Sequence, residues 1–149
     1  MAQYQCKSCR EIEVSDLTEP EACAYCGESG VIDLEAQTAG IAKANDAFRA
    51  AIIQGGHPEL LGQVVCTQGV AAEGLGFVAR AQIEVAGFAS FTEENDPYGD
   101  HSFGAVTISG KKIWWKIDLY DADYRFGAAD PLEATQTRRV LTLLFPSEY

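Results

Sequence analysis

Four cysteines carry the clearest chemistry in this sequence. Cys6-x-x-Cys9 and Cys23-x-x-Cys26 lie within the first 26 of 149 residues, with 13 residues between the pairs. A two-residue gap lets both sulfurs of a pair reach one ion, and two such pairs complete a tetrahedral thiolate shell. Four thiolates suit zinc or iron, and redox-inert zinc is the commoner choice for a module this small. The spacing predicts one structural ion (Zn2+) held by Cys6, Cys9, Cys23 and Cys26. All four positions would be filled by protein, so no coordination site remains for a reacting water. The competing reading, two disulfides, needs an oxidising compartment. The N-terminus, Met1-Ala2-Gln3-Tyr4-Gln5-Cys6-Lys7, lacks the basic start and apolar stretch of a secretory signal. The expected location is therefore the cytoplasm, where thiols stay reduced.

A second set of residues could do chemistry of another kind. The polar loop Asn95-Asp96-Pro97-Tyr98-Gly99-Asp100-His101 places carboxylates beside an imidazole. Lys116, Asp118 and Tyr120 alternate along one segment, followed by Asp121 and Asp123. If these meet, His101 and Asp118 could form an acid–base or metal-binding pair, with Asp96, Asp100 and Lys116 as further candidates. The plainer account makes the loop ordinary Asx turn chemistry and the segment a solvated strand face. Cys66, in Val64-Val65-Cys66, reads as an inert buried thiol, and His57, between Gly56 and Pro58, as a surface loop residue. No nucleophile elbow, phosphate loop or dinucleotide fingerprint occurs.

Charge restricts the partners. Lys plus Arg number 11 and Asp plus Glu 22, for a net charge of −11. Residues 1–35 hold two cations, Lys7 and Arg10, against Glu11, Glu13, Asp16, Glu19, Glu21, Glu28, Asp33 and Glu35. Gripping nucleic acid needs clustered cations, so direct binding to it is not expected. A protein partner is. No run of 18 apolar residues is present, so no membrane-spanning helix is expected.

The elements that must position these residues follow from periodicity. Residues 1–34 read as the metal module, with a short strand at Gln3–Gln5 and an apolar exit at Val31-Ile32. Residues 35–40 read as a linker or frayed turn, and residues 41–149 as a second domain. Ile41, Ala44, Phe48, Ala51 and Ile52 recur at helical spacing, and Gly55-Gly56 with Pro58 stops that helix. Gln63–Val70 is β-branched and reads as a strand. Residues 75–87 fit both a helical face and a strand alternation, and periodicity alone does not separate them. Ser102–Ser109 and Lys112–Tyr120 read as a hairpin turning at Ser109-Gly110-Lys111, with Ile113, Trp115, Ile117 and Leu119 on the core face. A final strand is expected at Arg139–Phe145. The predicted class is α+β, a zinc ribbon followed by a small antiparallel sheet with two helices.

Two resemblances add to this. The cysteine spacing is similar to that of zinc ribbons and rubredoxin-like knuckles, over about 30 residues. Residues 45–149 resemble the bacterial family known as domain of unknown function 3768. The resemblance rests on Asn45–Arg49, Thr67–Val70, Asn95–Gly104, Trp115–Asp121, Arg139–Thr142 and Ser147–Tyr149. Asp100, Ser102 and Leu119 depart from the family pattern, which has Glu, Asp and an aromatic residue there. The Ser102 change removes a carboxylate beside His101. The resemblance implies helix at 75–87 and no established activity. It also implies a setting on plasmids, phages and other mobile elements.

Two functions of different class are compatible with these residues. One is an acidic protein-interaction module, in its sharper form an inhibitor of a host nucleic-acid-binding defence complex such as a CRISPR or restriction effector. The alternative is a small enzyme or ligand-binding domain centred on His101 and Asp118.

Overall fold

The computed structural model describes residues 2–15 and 19–149, which leaves Asp16 of the acidic set outside the description. The chain divides into two compact units, Met1–Gly40 and Ile41–Tyr149. The α+β class read from the sequence is what the structure shows.

The first unit is a three-stranded sheet in the order β2-β1-β3, with β1 at Ala2–Cys6, β2 at Ile12–Ser15 and β3 at Val31–Asp33. Both neighbours of β1 run antiparallel to it, Tyr4 pairing with Glu13 on one side and Asp33 on the other. Among the described residues its buried apolar side chains are few: Tyr4, Cys6 and Cys23. Beyond β3, helix α1 spans Leu34–Ala51 and starts seven residues before the expected Ile41. Asp33 explains the early start. Its carboxylate accepts from the N–H groups of Glu35 and Ala36, both at 3.1 Å, and supplies the N-cap that offsets Gly40 in the helix interior.

The second unit is built on a four-stranded sheet in the order β4-β7-β6-β5. Its strands are β4 (Gly62–Cys66), β5 (Phe103–Ile108), β6 (Lys111–Tyr120) and β7 (Arg138–Leu144). The predicted hairpin is present, with Ser109 (φ 51°) and Gly110 (φ 80°) in the left-handed turn that matches strand twist. The sheet is mixed where a purely antiparallel one was expected: β5, β6 and β7 are antiparallel, but β4 runs parallel to β7.

The expected strand through Val70 also ends early. Thr67 accepts from the Val70 N–H and caps a short helix, α2, at Gln68–Ala71. Helix α3 occupies Leu75–Ala86, which resolves the ambiguous stretch as helix. Ile113, Trp115 and Ile117 are buried with Leu141 and Leu143, and Phe48, Val70, Ala81 and Val85 close the core from the helices. Leu119 packs at its margin. Gly104 lies opposite Trp115, and a Cβ there would come within 2.6 Å of the indole. The ring needs that glycine. Among the described residues no helix is long and apolar enough to cross a membrane.

Candidate metal centre and the His101 cluster

The four cysteines come together. Each Sγ lies within 4.8 Å of the other three. Cys6 and Cys26 are 3.6 Å apart, as are Cys9 and Cys23. A disulfide would bring sulfurs to about 2.05 Å, and all four thiols are free. A tetrahedron with metal–sulfur bonds of about 2.3 Å has edges of about 3.8 Å, so the spacing fits a thiolate-bound ion.

Each pair sits in the same local fold, built twice. In the first, Arg10 N–H donates to Cys6 C=O (3.0 Å) and Cys6 N–H donates to Glu11 C=O (3.0 Å). In the second, Gly27 N–H donates to Cys23 C=O (2.9 Å) and Cys23 N–H donates to Glu28 C=O (2.9 Å). Both need a left-handed fifth residue, which is Gly27 (φ 78°) in one and Arg10 (φ 65°) in the other. Sulfur also receives backbone donors. Ser8 N–H reaches Cys6 Sγ at 3.3 Å, and Tyr25 N–H reaches Cys23 Sγ at 3.3 Å. Such donors orient ligands and stabilise thiolate charge. N–H groups of Cys9 and Ser8 hold the Cys6 thiol at about 6, well below its ordinary value, against the opposing effect of burial. The residues are positioned to hold a metal ion.

The other sequence candidates separate into two groups. His101 Nδ1 lies 2.9 Å from both carboxylate oxygens of Asp46, and its Nε2 is 3.5 Å from Asp96. The ring stacks flat on Phe91 with centroids 3.8 Å apart. Asp96 also accepts from the His101 N–H. Asp100 spends its carboxylate on Ser102, accepting from its N–H and hydroxyl, which is local turn chemistry.

Lys116 and Asp118 pair with each other at 3.0 Å, and this contact raises the Lys116 pKa. They alternate with Trp115 and Ile117 along β6 and so lie on the face away from the core. Continuing the β5–β6 register by two residues would put position 101 opposite Asp118. His101 instead adopts a left-handed backbone (φ 55°), and its ring goes to Asp46 and Phe91 on the helix side. The structure does not bring Asp118 to His101.

The partners that sequence reasoning missed are on α1. Asn45 donates to Asp100 C=O (2.9 Å) and accepts from Arg139 Nε (2.8 Å). Arg49 donates to Val85 C=O and Phe88 C=O at the end of α3, bonds Asp46, and stacks on Phe91 and Trp115. Burial lowers the pKa of both Arg49 and Arg139. A signal was available. Asn45 lies four residues after Ile41 and three before Phe48, inside the apolar stripe, where a polar residue needs a partner.

Residues 66–148 match the family described as "Protein of unknown function (DUF3768)", and the chain belongs to it. The match starts after the cysteine module and after Asn45–Arg49. No curated protein and no solved structure matches the chain.

Proposed function

We propose that this chain is an acidic protein-interaction module stapled by one structural zinc ion. We further propose that it inhibits a nucleic-acid-binding defence complex of the CRISPR or restriction kind. The convergence of Cys6, Cys9, Cys23 and Cys26 into a closed thiolate shell is the observation that carries this reading. A closed shell gives the ion a folding role with no open position for chemistry. Around it Glu11, Glu19, Glu21, Glu28 and Glu35 are exposed, against the cations Lys7 and Arg10. Carboxylates displayed this way suit a basic channel that ordinarily receives phosphates.

The alternative, a small enzyme or ligand-binding domain in the His101 region, would have to use His101 with Asp46 and Asp96, since Asp118 pairs with Lys116 instead.

Two measurements test the proposal. Metal analysis of the purified chain is expected to find one zinc per molecule. Binding to a panel of restriction and CRISPR effectors is expected to weaken steeply with salt. Binding unchanged at about 0.5 M salt would refute charge mimicry, because screening then acts within a few ångströms.

A further inference from the structure

Strand β4 is an edge of its sheet, and its open side borders a cleft. Leu61 C=O accepts from Arg139 N–H, and Thr67 N–H donates to Leu143 C=O, both toward β7. In a parallel pair alternate residues turn their polar groups to the partner strand. Leu61, Gln63, Val65 and Thr67 therefore face β7, while Gly62 and Val64 turn N–H and C=O outward.

Gly62 and Val64 also line the cleft, a concavity of about 540 Å³. That volume is ample for side chains from a bound segment. Its floor holds Phe48, Ile52 and Leu60. No Asp, Glu, Lys or Arg lines it, although the chain carries −11 overall. His57 at the margin uses Nδ1 to accept from Glu59 N–H and Leu60 N–H, both at 3.0 Å. Glu59 itself is exposed and forms no ion pair among the described residues. Leu61, 46% exposed, adds an apolar lip.

Free main-chain donors and acceptors select an extended backbone, the uncharged floor selects an apolar side chain, and Glu59 selects a cation. We propose that β4 and this cleft form a docking site for an extended segment of a partner protein. The segment adds a strand beside β4, places an apolar side chain over Phe48 and Ile52, and sets a Lys or Arg against Glu59. This rests on reading the chain as an interaction module, and it holds whether or not the partner binds nucleic acid.

The test presents the zinc-loaded full chain to a displayed library of random octapeptides. Enriched peptides are expected to carry an apolar residue near a Lys or Arg and to slow amide exchange at Gly62 and Val64. Val64→Pro removes an outward N–H at an edge position where proline is tolerated. Gln82→Arg puts a cation into the cleft from α3. Each is expected to weaken binding about tenfold, the worth of one main-chain bond or one misplaced charge. If Val64→Pro fails to fold, Gln82→Arg decides.

The proposal is overturned by no peptide enrichment, by protection mapping elsewhere, or by indifference to Gln82→Arg. Concentration-dependent dimers abolished by Val64→Pro would overturn it too, since the edge would then serve a second copy. Zinc content and salt-sensitive effector binding are read separately, so failure here leaves the earlier proposal standing.

Discussion

The two units of this chain hold themselves together by different means. In residues 41–149 a sheet buries Trp115, Ile113, Leu141 and Leu143 completely against Phe48, Ala81 and Val85. Among the described residues of 1–40 the buried apolar set is Tyr4, Cys6 and Cys23, two of them thiols of the candidate metal centre. A unit of this size buries too little surface to offset chain entropy, and an ion held by the four cysteines would supply what the core lacks. The difference teaches where each unit is vulnerable: one to loss of an ion, the other to loss of a side chain.

The largest expected effect removes the ion. Cys23→Ser, or a strong chelator, should unfold residues 1–40, because structural zinc contributes about 10–16 kcal/mol in comparable small modules. The near-ultraviolet circular dichroism of the Trp115 environment should survive. Loss of both signals together would break the comparison. Acid should act in the same direction. An ion held by Cys6, Cys9, Cys23 and Cys26 needs all four as thiolates, so protons compete with it for the sulfurs as pH falls. Zinc release followed by a colorimetric chelator should therefore rise on acidification, with the second unit still folded.

Next in size is the reverse experiment. Trp115→Ala should destabilise the second unit by about 3–5 kcal/mol, as expected for a fully buried large aromatic. Zinc stoichiometry should stay at one. A mutant that loses its zinc as well would show that the units depend on each other.

A smaller effect tests the buried polar network. Asn45→Ala leaves the Arg139 guanidinium, already carrying an unpartnered nitrogen, without its acceptor. The expected cost is about 1–3 kcal/mol in chemical denaturation. Arg139→Met in the same background should recover much of it, since an apolar chain of similar length leaves no buried charge.

The same contrast explains what the sequence could reveal. Cys6-x-x-Cys9 and Cys23-x-x-Cys26 announce their convergence through local spacing, and the four thiols meet as that spacing requires. The core face of β6 was legible because alternation is also local: Ile113, Trp115 and Ile117 are buried. Pairings distant in the chain were not legible. Nothing within Gly62–Cys66 says that its neighbour is β7, more than seventy residues later and running parallel. The sequence points to Asp118 as the partner of His101, whereas the carboxylate beside its Nδ1 is Asp46, 55 residues away on α1. Asp118 was the nearer candidate by strand register, and the left-handed turn at residue 101 defeats it.

The smallest effect lies inside the metal module, between its two halves. Both halves need a left-handed fifth residue, yet only the second has glycine there. A Cβ on Gly27 would meet nothing within 4 Å, so Gly27→Ala tests the backbone alone. It should destabilise the zinc-loaded unit by about 1 kcal/mol, the usual penalty for a side chain in this conformation. Arg10 already bears that penalty. Arg10→Gly removes it but also frees the unfolded chain, which costs back about 0.5–1 kcal/mol. The two substitutions should therefore be unequal, with Gly27→Ala clearly harmful and Arg10→Gly near neutral in thermal melts of the loaded protein. Equal and opposite shifts would mean that strain alone sets the difference between the halves. A harmful Arg10→Gly would mean that the Arg10 side chain itself holds the first half in place.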